Sequence, residues 1–345
     1  MKAALSVLIL LLSAVPALAQ ERWAGFKPVD ELNVPFKDYL VNSIVLIATV
    51  GIVDDLKDKG FEIVDVTKVK AVTKKAKLAP GDDPTKVQPN LRAIQIETCR
   101  KQGLRFCPVI KVSSMSTGFF EDGVRLNTCR HVFHNWLVWA SQANDNMPVE
   151  DLSPPMILYG KDHKILYNSA TAKPADLLKF SFLNTDPRIN VPDFGKPNPP
   201  SAAWSNYRAS DVAQLTAKAP LVTPQSVSYD LDMLHYSTYT NVYLVGYPGK
   251  TRYFSDGNGD APGGQLVASV GRLLVASPTQ EAVQTSNLSK TGMSGSPLIA
   301  SDGRIMGMEC AGERPAAIDQ PETAKSLAFV FDQPGLKAVW SKLPF

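Results

Sequence analysis

The sequence has no marked excess of charge of either sign. Lys plus Arg number 36 and Asp plus Glu 33 in 345 residues, a formal net charge of +3. A dedicated nucleic-acid binder draws its affinity from clustered phosphate neutralisation, and a balance this even speaks against one. No segment reads as a membrane span: the apolar run Ala3 to Val15 falls short of the ~20 residues that a transmembrane helix needs. No internal period of about 20–50 residues is visible, which removes solenoids and propeller arrays. With 44% hydrophobic and 20% charged residues, the chain is neither a charge-rich disordered tail nor a collagen-like repeat. What is abundant is proline, 26 residues against 22 glycines, which favours extended segments and turns over a helical bundle.

The first residues combine Lys2, the apolar run and the small-x-small ending Ala17-Leu18-Ala19. That is the layout of a secretory signal peptide over residues 1–19, and it predicts export to the periplasm or the cell exterior with no stable membrane insertion after cleavage. Exported thiols meet an oxidising environment. Four cysteines, Cys99, Cys107, Cys129 and Cys310, allow three pairings. Cys99 and Cys107 flank a turn-like Arg100-Lys101-Gln102-Gly103, so a local bridge is the economical expectation, leaving Cys129 for Cys310. Cys129, His131 and His134 lack a second ligand cluster at zinc-like spacing, and no metal or cofactor is expected.

Residues 20–88 read as an extension or removable propeptide carrying one short packed element, Ile44-Val45-Leu46-Ile47-Ala48. From residue 89 onward the pattern changes to short β-branched runs separated by Gly, Pro, Asn and Asp. Examples are Val109-Ile110-Lys111-Val112, Lys164-Ile165-Leu166-Tyr167 and Val242-Tyr243-Leu244-Val245. Such a series predicts an all-β fold, an antiparallel barrel or sandwich. A proline-rich stretch at about 191–208 divides it into halves of about 89–190 and 209–345.

Three features carry chemistry. Gly292-Met293-Ser294-Gly295-Ser296-Pro297 sets a serine on a tight bend where backbone N–H groups can face a developing oxyanion. Ser116-Thr117-Gly118-Phe119-Phe120 and Thr128-Cys129-Arg130-His131 read as a hairpin ending in a histidine, whose ordinary pKa suits it to take a serine proton. The third partner is a carboxylate that fixes the imidazole tautomer. Asp176, entering the apolar Leu177-Leu178, is preferred over Asp162 and Asp186, which sit in polar turns. Order along the chain then discriminates. All four histidines, 131, 134, 163 and 235, precede Ser294, which excludes an α/β-hydrolase, and the His, Asp, Ser order belongs to the chymotrypsin-like architecture.

On these motifs, with Gly246-Tyr247-Pro248-Gly249 and the strand Gly303 to Gly312, the segment from about residue 90 onward resembles the trypsin-like serine peptidases of the secreted bacterial type. It is closer to glutamyl endopeptidases and HtrA-type protease domains than to digestive trypsin. The chain ends at Phe345, too soon after Ser294 for a C-terminal PDZ domain. The resemblance implies two antiparallel six-stranded β-barrels, with His131 and Asp176 from the first and Ser294 from the second. It implies an oxyanion hole from the N–H groups of Gly292 and Ser294, and a primary pocket bordered by Ser289, Glu309, Ala311 and Gly312. Trypsin has an aspartate before its serine that pairs with a new N-terminal ammonium; Met293 stands there and cannot. Glutamyl endopeptidases have a histidine where Glu309 stands, so this chain is expected to favour Lys or Arg, or nothing sharply, over acidic side chains. The function implied is peptide-bond hydrolysis through an acyl-enzyme. The alternative is a catalytically inactive pseudoprotease or envelope peptide-binding protein.

Overall fold

Five consecutive aliphatic residues, Ile44 to Ala48, leave no polar face. Such a run is stable as a strand only where both sides of its sheet are covered. The computed structural model places it there: all five side chains are 0 or 1% exposed, and the strand lies between two others in a seven-stranded sheet. Described are residues 25–50, 61–69, 96–97, 99–101, 103–110, 113–133, 137, 153–161, 164–169, 172–183, 211–225, 227–231, 241–248, 265–275, 282–290, 292–312 and 325–330.

In chain order the elements begin with β1 (Phe26–Pro28), α1 (Lys37–Ser43), β2 (Ile44–Val50) and β3 (Phe61–Asp65). Next come β4 (Phe106–Ile110), β5 (Ser113–Phe120), β6 (Arg125–Thr128), β7 (Met156–Tyr159), β8 (Ile165–Asn168), β9 (Lys179–Leu183) and β10 (Ala213–Thr216). The remainder are β11 (Val242–Gly246), β12 (Val267–Gly271), β13 (Leu273–Val275), β14 (Ala282–Leu288), β15 (Pro297–Ala300), β16 (Ile305–Gly312) and β17 (Lys325–Val330). The fold is all-β, in two large antiparallel sheets. The first has the order β8-β7-β2-β5-β6-β10-β9 and the second β1-β12-β11-β15-β16-β17-β14-β13. Among the described residues they hold seven and eight strands.

Period-2 alternation shows how the second sheet meets the first. Val242 and Leu244 of β11, Leu298 and Ala300 of β15, and Met306 of β16 pack with Val283 and Met293 into one core. The intervening residues Val245, Ile299 and Ile305, with Met308, join the larger core of the first sheet. Phe36 closes edge-on against Tyr243, with ring centroids 5.7 Å apart. The two sheets therefore share a continuous apolar contact, and the loops at their junction are held from both sides.

The expected separation at residue 88 does not hold. β2 pairs with β5 from Ile44↔Phe119 to Val50↔Ser113 and with β7 on its other side, while β1 pairs with β12 of the second sheet. The N-terminal segment supplies strands to both sheets because its apolar run has nowhere else to bury both faces. The boundary at 209 moves as well, since β10 pairs with β6 and β9 of the first sheet. The expected signal peptide and the linker at 191–208 lie outside the described residues.

β3 and β4 form a separate two-stranded ribbon. It carries the Cys99–Cys107 disulfide that the spacing suggested, with Cα atoms 5.8 Å apart. Gly103 N–H donates to Arg100 O at 3.0 Å, closing the turn between them. Lys101 anchors the unit to the first sheet by donating to Ser169 O at 3.0 Å and to Ala172 O.

Leu46→Ala should cost about 2–5 kcal/mol in urea unfolding, the range for a cavity in a packed core. A chain starting at residue 89 should show no cooperative unfolding. A cooperative transition of unchanged midpoint for that truncated chain would remove β2 from the folding unit.

Candidate active site

His131 follows β6 in a short 3-10 turn, Arg130–Phe133. Antiparallel register determines what faces it. β6 and β10 pair with Ala213 opposite Thr128; carried two residues further, the same register sets Asp211 opposite Arg130. Arg130 N–H donates to Asp211 O at 3.4 Å. The Asp211 carboxylate then spans the histidine. Oδ1 accepts the His131 backbone N–H at 2.7 Å, and Oδ2 lies 2.6 Å from the ring Nδ1. A carboxylate only accepts, so Nδ1 carries the proton and the neutral ring presents Nε2 as its base. Asp211 is 1% exposed and His131 14%. Burial alone would lower the His131 pKa, but the charge and hydrogen bond of Asp211, with a further contribution from Glu309, outweigh it against the opposing Arg130. The pKa is raised above 6.5.

Asp176 is not the partner. It ends a 3-10 turn, Pro174–Asp176, just before β9. Lys179 of β9 pairs with Thr216, at the end of β10 remote from Asp211. Asp176 is exposed there and lies 3.6 Å from Lys218. The competitors Asp162 and Asp186 lie outside the described residues. Asp211 escaped the sequence reading because the division at 209 placed it in the wrong half. Its local signal is an aspartate directly before a buried strand, Val212, Ala213 and Leu215, all 0% exposed.

The turn bearing Ser294 is built from backbone bonds. Met293 N–H donates to Lys290 O at 3.0 Å and Ser296 N–H to Met293 O at 2.8 Å. Gly292 and Gly295 have φ of +99° and +89°, left-handed conformations that side chains rarely adopt. A Cβ at Gly295 would also stand 2.1 Å from Thr117 O. Met293, in place of an acidic residue, drops its side chain into the second sheet's core and pins the turn by apolar packing.

Thr117 of β5 fastens this turn to the histidine's sheet. Its N–H donates to Ser294 O at 2.9 Å and its hydroxyl to Gly292 O at 2.9 Å. The hydroxyl also accepts Tyr247 N–H at 2.9 Å. Thr117 O accepts the Thr128 hydroxyl at 2.8 Å, on the strand that leads into His131. One buried residue thus couples the two halves. Among the described residues, the imidazole's hydrogen bond is the one between Nδ1 and Asp211 Oδ2, with none to the Ser294 hydroxyl. Such catalytic bonds are often long before substrate binds.

β16 lies beside the turn. Glu309 N–H donates to Ser296 O and Glu309 O accepts Gly295 N–H, both at 2.8 Å. The Glu309 side chain is 2% exposed and accepts the Ser289 hydroxyl on Oε1. Burial raises its pKa to about 7, opposed by Ser289 and His131 and reinforced by Asp211. Ala311 and Gly312 continue β16 opposite Leu327 and Ser326; the Ala311 and Cys310 side chains lie outside the described residues. Cys129 packs its Sγ 3.0 Å from Glu309 O. Among the described residues, Cys129, His131 and Asp211 are the group of metal-type donors, mutually within 4.8 Å. Their contacts with one another and with β16 account for the arrangement. His134 lies outside the described residues.

No protein-family model and no curated protein matches this chain. Solved structures are similar at low identity. The active form of the Rv3671c protease from M. tuberculosis is 15% identical with a TM-score of 0.41, the match covering 92% of this chain and 86% of that one. Its inactive form is 15% identical with a TM-score of 0.34, covering 67% and 85%. A Glu endopeptidase in complex with MPD is 13% identical with a TM-score of 0.36, covering 66% and 84%.

Asp211→Asn should lower the His131 pKa measured by NMR titration of the ring protons, whereas Asp176→Asn should leave it unchanged. A shift in the Asp176 variant alone would return the third role to that residue.

Proposed function

We propose that the chain is an exported serine endopeptidase acting through Ser294, His131 and Asp211. The observation that carries this reading is the Asp211 clasp on His131, through both the backbone N–H and Nδ1. It fixes the one tautomer able to accept a proton at Nε2. In the first step Ser294 Oγ attacks the peptide carbonyl carbon while its proton passes to Nε2. The carbonyl oxygen takes the negative charge, facing the N–H groups of Gly292 and Ser294. Losing one donor of this kind typically costs about 2.7–4 kcal/mol of barrier, so the left-handed backbone at Gly292 contributes to the rate beside the histidine. The imidazolium, stabilised by Asp211, gives its proton to the leaving amine. Water then attacks the acyl-enzyme, with His131 again accepting the proton and returning it to Ser294.

The N-terminal sequence and the Cys99–Cys107 disulfide support export to the periplasm or beyond. Among the described residues no helix is long and apolar enough to cross a membrane. A second reading, a silent peptide-binding protein, has one observation on its side: among the described residues the imidazole bonds to Asp211 and not to Ser294.

Hydrolysis of a mixed peptide library separates the two. The wild type should cleave, Ser294→Ala should not, and Asp211→Asn should lose roughly 10⁴ in kcat, as a wrong tautomer does in the well-studied triad. Because His131 must be neutral to act and its pKa is raised, the acid limb of kcat/KM should lie above pH 6.5. It should move to lower pH in Asp211→Asn. Cleavage that survives in Ser294→Ala would refute the assignment.

A further inference from the structure

β1 is the outermost strand of the second sheet, three residues long and paired with β12. So short a strand offers few hydrogen bonds, yet it lies along the segment that leads into the Ser294 turn. A Cβ on Gly25, just before β1, would stand 2.4 Å from Leu288 Cδ1. Phe26 is opposite Ser269, whose Oγ accepts the Leu288 N–H at 2.7 Å. Lys290 Nζ stands 5.9 Å from the centroid of the Phe26 ring, within the range of a cation–π contact. Phe26 also packs against the core that contains Met293, Val242 and Leu298. Lys290 and Met293 are themselves joined, Met293 N–H donating to Lys290 O at 3.0 Å. One side chain thus supports the chain on both sides of Gly292, the residue with φ of +99°. Met293 carries no charge, so packing holds it, and packing fixes a position only where the space around it is filled.

We propose that Phe26 is a positioning residue for the nucleophile turn: its ring seats Lys290 and closes the core around Met293, and so sets the backbone at Gly292. This deepens the endopeptidase reading and rests on it. Loss of the ring leaves a gap in the core and frees Lys290, and the Gly292 N–H then drifts from the place where it meets the oxyanion. Displacements of an ångström at such a point are costly to the rate. The contact with the oxyanion is made in the transition state, so its loss lowers kcat and leaves KM nearly as it was. The His131–Asp211 pair stands at the ends of β6 and β10 in the first sheet, and a change at β1 leaves it alone.

The test measures kcat and KM on one peptide cleaved by the wild type, with urea unfolding and NMR titration of His131 as companions. Phe26→Ala should lower kcat about ten- to hundredfold with KM and the His131 pKa unchanged. Phe26→Leu keeps the apolar filling and loses the ring, so kcat should fall only about two- to fivefold, the scale of one cation–π contact. Lys290→Met removes the same contact from its other side and should match it. The double variant Phe26→Leu/Lys290→Met should lose no more than either single change. Where the alanine variant lacks a cooperative transition, these two variants and their double carry the test. An unchanged kcat in Phe26→Ala, a rise in KM alone, a moved His131 pKa, or additive losses in the double variant overturn the proposal and leave the endopeptidase reading intact. A wild type that cleaves no peptide overturns both.

Discussion

The site depends on a single fastening between two sheets. Thr117 sits at the middle of a strand in the first sheet, yet its N–H and hydroxyl hold the carbonyls of Ser294 and Gly292, and its carbonyl holds Thr128 beside the histidine turn. Each such bond is worth only about 0.5–1.5 kcal/mol net. Their effect is larger because they are buried and share one residue, so loosening one strands the others. Without them the turn at Gly292–Ser294 and the imidazole would belong to separately moving halves. A position error of an ångström at such a site is costly to the rate.

Charge is arranged around one imidazole by two carboxylates in unlike settings. Asp211 touches the ring and is satisfied by two donors of the same histidine residue. Glu309 has one oxygen bonded to a serine and, among the described residues, one with no partner; burial pushes it up to about 7. The first carboxylate is held against the imidazole by two bonds to one residue, and the second is set mainly by its burial. Met293 holds the Ser294 turn by apolar packing in the second core.

Local features were legible from sequence and registers were not. The Gly292–Pro297 turn announces itself through its glycines, because only a left-handed bend needs them at those places. The Cys99–Cys107 bridge follows from a short turn. The run Ile44 to Ala48 was readable as a packed element, strand or short helix, but not as a central strand of the first sheet, because its partners Phe119 and Tyr159 lie far along the chain. Asp211 is the sharpest case. Its one local signal, an aspartate just before a buried strand, does not single out His131; the pairing of Ala213 with Thr128 does. Asp176 had the better neighbourhood and the wrong end of the strand.

In the proposed reading His131, Asp211 and the turn at Ser294 make one acyl-accepting unit. A fluorophosphonate probe followed by peptide mapping tests it without a chosen substrate. A single adduct on Ser294 is expected in the wild-type chain, formed orders of magnitude more slowly in His131→Ala. An adduct on another residue, or equal labelling in that variant, would contradict it.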